Sequence, residues 1–421
     1  TCTLADAITS ANNDTATGGC AQGAGSDRII LATDLLLEKA SPSIISTMTI
    51  EGKGHTIDGN KLGSVLSVED GRLMLNEATL TGGDAAAGGG IYNYGGTVTL
   101  NSSTVSGNQA ESSGGIYNFA GTVTLNNSTV SNNQASSAGS TGGGIGNYSG
   151  VLLLNTSTIS GNTASTTGGG IENSSDYSSS VVTLKNSTVS GNEAETGGGI
   201  DNISYSYPAI ITLVNSTVSG NIAEKNGGGI TNYVSSYWGG NSTVTLTNST
   251  VTGNTAVRGG GIYNYFLFND SSGSPTVTLV SSVISGNIAT AEGHEIYNSI
   301  DSNVNADNNN LFGHSDATDA QAFLGFAPGE NDVRATSDGG NPVALSAILN
   351  TTLADNGGPT MTHALVEGSP AIDQDPSCDV SRDQRKYGRP VGVGCDAGSF
   401  EFNGEPIPEK DARPWLYQLL L

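Results

Sequence analysis

Between residues 88 and 300 the chain alternates apolar and polar positions in short runs that return at a nearly constant interval. The runs "VTLNSSTVSGNQA", "VTLNNSTVSNNQA", "LLLNTSTISGNTA", "VTLKNSTVSGNEA", "ITLVNSTVSGNIA", "VTLTNSTVTGNTA" and "VTLVSSVISGNIA" are β-branched, alternating and bounded by Gly, Asn and Ser. That is a strand signature rather than a helix signature. Before each run stands a glycine motif, "GGGIYN" at residues 88–93, which returns as "SGGIYN", "GGGIGN", "GGGIEN", "GGGIDN", "GGGITN", "GGGIYN" and finally "GHEIYN". Its isoleucines, Ile91, Ile116, Ile145, Ile171, Ile200, Ile230, Ile262 and Ile296, are spaced by 25, 29, 26, 29, 30, 32 and 34 residues. A period that starts at 25 residues and grows fits solenoid coils with variable loops, each coil holding about three short strands. Stacked in parallel at about 4.8 Å, these coils would span roughly 34 Å of a narrow, elongated core.

Two asparagine columns run through the repeat. Asn93, Asn118, Asn147, Asn173, Asn202, Asn232, Asn264 and Asn298 follow the isoleucine by two positions, and Asn108, Asn133, Asn162, Asn192, Asn221, Asn254 and Asn287 close the "SGN" turn. Asparagine tolerates left-handed backbone and can hydrogen-bond to an identical Asn one coil away, so both columns predict structural ladders. The glycines predict tight turns at each coil. No helix follows them to present amides to a phosphate, which removes the nucleotide-loop readings. Between isoleucine and asparagine the residue varies: Tyr92, Tyr117, Gly146, Glu172, Asp201, Thr231, Tyr263 and Tyr297. Strand alternation points that position outward. Upstream, "MTIEGKGHTIDGN" and "GRLMLNEATLTGG" read as worn coils, and "TLADAITSAN" as a short helix with Thr3 as N-cap, plugging the open end.

Composition narrows the reading further. Sixty glycines and 35% apolar residues suit a narrow core, while a charged fraction of 13% beside a steady supply of Val, Ile and Leu argues against disorder. A net charge of -24, with only 15 basic residues, argues against nucleic acid as a partner. The acids fall 11 before residue 88, ten within the repeats and 18 after residue 300, leaving the repeats almost neutral. Cys2 and Cys20, and Cys378 and Cys395, form two local pairs that read as disulfides, which implies an oxidising, extracellular location. No apolar run is long enough to span a membrane and no leader precedes Thr1, so the chain reads as a mature, processed product.

The glycine-isoleucine and "SGN" pairing resembles the right-handed parallel β-helix of the pectate-lyase-like superfamily, and the GGAI and FxxN repeats of polymorphic outer-membrane adhesins. "VSGN" stands where the adhesins carry an aromatic residue, and no C-terminal membrane barrel follows. The stretches "LADNGGPTMTHALVEGSPAIDQ" and "CDVSRDQRKYGRPVGVGCDAGSFEF" are similar to the module closing bacterial secreted β-helix proteins of the choice-of-anchor type, and "CTLADAITSAN" resembles their start. The resemblance implies fold and location rather than activity. Together with the repeat pattern, this divides the chain into an N-terminal cap at 1–28, β-helix repeats at 29–300, a C-terminal capping module at 301–404, and a linker and apolar tail at 405–421.

Catalytic chemistry is sparse. The basic residues of the repeats, Lys185, Lys225 and Arg258, lie at different registers and read as scattered surface charges rather than a lyase groove. Asp176, Asp201 and Asp270 read as polar surface in turns or loops, not as a hydrolase pair. His55, His294, His314 and His363 are far apart in sequence; His294 predicts a wider turn or a cap contact, and His363 a structural role. The sequence implies no metal site and no cofactor.

Two features stand out from the repeat. The loop from the ladder Asn to the next strand's Leu spans 7, 7, 7, 11, 11, 14 and 15 residues and gathers Tyr177, Tyr205, Tyr207, Tyr233, Tyr237, Trp238, Tyr265, Phe266 and Phe268. Leaving the same corner of successive coils, these loops predict either an aromatic ridge suited to a glycan or protein partner or a cover folded over the flank of the solenoid. The chain ends in an apolar stretch whose Trp415, Leu416, Tyr417, Leu419, Leu420 and Leu421 need a docking surface. It would dock back on its own solenoid, belong to a truncated anchor region, or, donated to a neighbouring copy, build a head-to-tail filament. The sequence therefore points to a non-enzymatic secreted or cell-surface structural protein or adhesin that assembles with itself. The alternative is glycan binding by the ridge, with polysaccharide cleavage behind both.

Overall fold

The computed structural model describes residues 2–235, 240–267, 273–378 and 380–407. One coil shows how the repeat folds. Ile91–Tyr94, Thr97–Asn101, Thr104–Ser106 and Gln109–Ser112 are four short strands, one more than expected. The added strand is the polar "NQA" end of the repeat. Its inward side chain is only an alanine, buried at Ala110, Ala135, Ala164, Ala194, Ala223, Ala256 and Ala289, too small to stand out in the hydrophobic pattern.

Stacked coils make four parallel sheets, which we call the isoleucine, leucine, valine and alanine columns; among the described residues they hold 10, 11, 12 and 8 strands. The fold is thus an all-β parallel β-solenoid. Register is residue upon residue: Ile116 pairs with Ile91 and Ile145, Asn118 with Asn93 and Asn147, and Leu125 with Leu100 and Leu154. A slip by one residue would turn every isoleucine to solvent, so extra residues are expelled into the corners. Inside, Ile91, Val98, Leu100, Val105 and their equivalents form one continuous core from Leu4 to Phe323. Each such side chain contributes roughly 1.5–3 kcal/mol on burial.

Both asparagine ladders are present. Asn93 Nδ2 donates to Asn118 Oδ1 at 2.7 Å, and the step repeats through Asn147, Asn173, Asn202, Asn232, Asn264 and Asn298. The second runs from Asn108 through Asn133, Asn162, Asn192, Asn221 and Asn254 to Asn287. It ends on Glu295, whose Oε2 accepts from Asn287 Nδ2 at 2.6 Å and whose Oε1 accepts the Gly286 N–H at 2.9 Å. Glu295 replaces the last glycine of the motif and supplies the acceptor that another asparagine would have provided. A third ladder was not anticipated: the N–H of Ser103 donates to Ser128 Oγ at 3.1 Å, and Ser157, Ser187, Ser216, Ser249 and Ser282 continue it.

At the N-terminus the expected helix spans Leu4–Asn13, with Thr3 Oγ1 accepting the Asp6 N–H at 3.2 Å. Leu4, Ile8 and Ala11 join the core. Parallel pairing continues past residue 300, through Asn303–Asn305, Leu311–Phe312, Phe323–Leu324 and Val333–Arg334. Beyond Arg334 the chain turns back along the flank of the valine column. There Thr188 Oγ1 donates to the Met361 carbonyl at 2.7 Å, Thr217 Oγ1 to Gln384 Oε1 at 2.7 Å, and Ser281 Oγ to Asp375 Oδ2 at 2.6 Å. A second small core, in which Ile348, Leu349, Leu365, Ala371 and Phe400 pack with Val283 and Leu311 of the valine column, holds this segment against the solenoid. Arg385 lies between the rings of Tyr387 and Phe400, 4.2 and 3.6 Å from their centroids.

Cys2–Cys20 and Cys378–Cys395 are both disulfide-bonded, which points to a non-cytoplasmic compartment. Among the described residues no helix is long and apolar enough to cross a membrane.

Candidate functional site

The variable position between isoleucine and asparagine forms a single line of side chains along the outside of the isoleucine column. Tyr92 and Tyr117 stack at 5.3 Å with ring planes 2° apart. At the next coil the position is Gly146, and the ring of Tyr148 folds over it, packing against Tyr117 at 5.0 Å with the ring planes tilted by 35°. The Tyr148 hydroxyl is held there by hydrogen bonds to Thr141 Oγ1 at 2.5 Å and Ser113 Oγ at 3.3 Å. Glu172 pairs in register with Asp201, and Asp201 with Thr231. Beyond them Tyr263 and Tyr297 stack at 4.7 Å. Two aromatic stretches thus flank a pair of carboxylates.

This line corrects two expectations. Strand alternation does point these residues away from the core, yet they do not all face solvent: Glu172 is 5% exposed and Asp201 is 0% exposed. Asp201 was read as polar surface in a turn or loop, but it lies within the strand Ile200–Ser204. Alternation says which side of a strand a residue occupies, not what covers that side. Here the tyrosines of neighbouring coils, Tyr148, Tyr205 and Tyr233, crowd around the pair. Tyr205 and Tyr233 stand close enough to feel both carboxylates, and Tyr148 feels Glu172. Asp176, by contrast, is exposed as expected, and Asp270 lies outside the described residues.

Burial dominates the electrostatics. It pushes Glu172 up to about 7, against the opposing hydrogen bonds of Thr167 and Thr141. Asp201 is pushed well above the usual carboxylate range by burial and then by the charge of Glu172. Burial, followed by Glu172, Asp201 and Asp176, pushes the Tyr205 hydroxyl up to about 12. Glu172 Oε2 accepts from Thr167 Oγ1 at 2.5 Å. Neither oxygen of Asp201 has a hydrogen-bond partner among the described residues. The first glycine of each motif backs onto the pair: Gly168 and Gly197 have φ of +61° and +63°, and a Cβ on either would stand 2.8 Å and 2.7 Å from the β-carbons of Glu172 and Asp201.

The aromatic ridge resolves into parts with different surroundings. Tyr177 is 70% exposed, with its ring edge-on to Phe119 at 5.8 Å, and Tyr205 and Tyr207 are also exposed. Tyr233 and Tyr265 are half-buried, Tyr265 stacking on Tyr263 at 5.5 Å, and Phe266 is buried. Tyr237, Trp238 and Phe268 lie outside the described residues, as do Trp415, Leu416, Tyr417, Leu419, Leu420 and Leu421. The sequence reading passed over Tyr94 and Phe119, which are register partners stacked at 5.2 Å. Their signal was an aromatic three positions after the isoleucine in three successive coils, at Tyr94, Phe119 and Tyr148.

The remaining polar candidates are dispersed. Lys225 pairs with Glu195 at 2.6 Å and Arg258 with Glu292 at 3.5 Å, while Lys185 is exposed at the end of a leucine-column strand. The His294 N–H donates to the Gln321 carbonyl at 2.9 Å, the same backbone bond to the next coil that Gly260 makes to Gly293. His363 is buried, bridging Ser219 Oγ and the Asn350 carbonyl at 2.7 Å each. Among the described residues no group of three or more His, Cys, Asp or Glu side chains could hold a metal. Compared with known proteins, the chain matches no family model, no curated protein and no solved structure, so its likeness to named families stops at the parallel β-solenoid itself.

Proposed function

We propose that the chain is a non-catalytic extracellular surface protein that binds glycan chains along the outer face of its isoleucine column. The observation that carries this reading is the contiguous aromatic cluster of Tyr92, Tyr94, Tyr117, Phe119, Tyr148 and Tyr177, spread over four coils and still exposed at Tyr94 and Tyr177. Exposed aromatic groups of this extent mark contact surfaces, and flat rings offer the C–H faces of sugars a large apolar area beside hydroxyls that can hydrogen-bond. The disulfides support a secreted location.

A non-catalytic role is supported by the burial of the Glu172 and Asp201 carboxylates away from the exposed rings and by the ion-paired Lys225 and Arg258. Self-assembly through Trp415–Leu421 rests on the sequence alone. Glycan-array binding of the purified protein tests the proposal, with the Tyr94→Ala, Tyr177→Ala double variant alongside. Both side chains are exposed, so the fold should survive while binding drops at least about tenfold, the loss of roughly 1.4 kcal/mol of contact energy. A blank array for the intact protein, or undiminished binding by the double variant, overturns the reading.

A further inference from the structure

We infer that Glu172 and Asp201 form the binding site of a hard divalent cation, calcium being the ion that the donor set fits. The two acids are register partners on adjacent parallel strands, which sets their backbones about 4.8 Å apart. Both are buried, and both Asp201 oxygens lack a hydrogen-bond partner among the described residues. Buried charges are ordinarily paired or bound to a metal, and two carboxylates held side by side without either repel one another in a medium that screens poorly.

The groups facing the pair supply no compensating charge. From the coil before come Tyr148 and Thr141, from the same coil Thr167, and from the coils after Tyr205, Thr231 and Tyr233. Among the described residues neither acid has a Lys, Arg or His partner, and Lys225 and Arg258, bases of the following coils, are engaged by Glu195 and Glu292. Among the described residues every donor facing the pair is an oxygen, from carboxylate or hydroxyl, with no imidazole or thiolate. That set suits calcium or magnesium and not zinc or copper. Gly168 and Gly197 hold the strand entrances so close to the acids that no side chain can stand there. With only two carboxylates the affinity should be that of extracellular calcium modules, with Kd of about 0.1–1 mM.

The test is calorimetry and thermal melting of chelator-treated protein at pH 8 with calcium chloride or magnesium chloride, for the intact chain and for Asp201→Asn and Glu172→Gln. The expected result is one calcium bound per chain, a melting temperature several degrees higher with calcium, and release of protons on binding. Either variant should lose at least about tenfold in calcium affinity. Asp201→Asn should also melt no lower than the intact protein without calcium, because it removes a buried charge. Glu172→Gln gives the same comparison if the first variant fails to fold. The proposal is overturned if calcium leaves heat and melting unchanged while stability falls as pH rises from 5 to 8, since a shared proton then satisfies the pair. Calcium binding of undiminished affinity in both variants overturns it equally.

Discussion

Each position of the repeat has a distinct physical task, and the asparagines show how far identity matters. Asn202 accepts from Asn173, and its Nδ2 donates to Asn232 Oδ1 at 2.8 Å and to the Ala209 carbonyl at 3.1 Å, all out of contact with water. Asn155 makes the same kind of coil-to-coil bond, Nδ2 to Asn126 Oδ1 at 2.9 Å, on a half-exposed surface where water can replace it. Replacing Asn202 by Ala leaves buried donors and acceptors unmade, each costing about 1–3 kcal/mol, whereas Asn155→Ala should cost under about 1 kcal/mol. Urea denaturation of the two variants measures the difference, and equal midpoints would show that the interior ladder is not stabilising. Other asparagines serve the backbone: Asn127, Asn186, Asn215 and Asn248 all have φ between 45° and 51° at the corner before the serine ladder. Their Asn-Ser-Thr triplets thus follow from a left-handed corner, a ladder serine and the first residue of a strand. The asparagine columns were legible because a period is visible in one sequence. The serine ladder was not, because serine is too common there to stand out.

At the level of elements, the glycine motif turns the chain at the same register position in successive coils. Gly197 occupies the left-handed region with the β-carbon of Asp201 against it, while Gly191, at φ of +61°, has open space around it. Both positions strain an L-residue, by about 1–2 kcal/mol per residue, but Asn is tolerated there better than Ala. Gly191→Asn is therefore expected to melt within a few degrees of the parent, and Gly197→Ala to lose clearly more, because it adds a collision to the strain. Thermal melting followed by circular dichroism checks this, and equal losses would remove the close approach as the cause. The alanine strand belongs to the same scale. Its pairing partners, not its own residues, make it a strand, so a propensity reading found three strands per coil where there are four.

For the whole molecule, the decisive contact is that of the C-terminal segment with the valine column. Gln384 lies inside that contact, its Nε2 donating to Thr188 Oγ1 and Thr360 Oγ1 at 2.9 Å each, and His363 joins Ser219 to Asn350 across it. Burial holds the His363 imidazole below its ordinary pKa of 6.5, so it is neutral when folded and takes up a proton more readily once released. Its contribution is present above about pH 6.5 and is lost as the pH falls through the depressed folded value. Limited proteolysis should therefore free residues 336–407 faster at pH 5 than at pH 7.5, and His363→Gln should flatten that dependence. Cleavage rates independent of pH would count against a docked histidine.

What the sequence determined by itself was the coil. The period, the inward isoleucine and leucine, the asparagine ladders, the helix at Leu4–Asn13 and the two cysteine pairs depend on contacts that recur, or on residues close together in the chain. Tertiary structure alone decided which outward residues stay outward. Glu172, Asp201 and Thr231 occupy the same position as Tyr92, yet they are buried, with the rings of Tyr148, Tyr205 and Tyr233 from neighbouring coils close to the two acids. It also decided that the segment after Arg334 returns to the flank of the solenoid. Both outcomes rest on contacts between residues far apart in sequence that occur once and not in every coil, and a single chain carries no periodic trace of them.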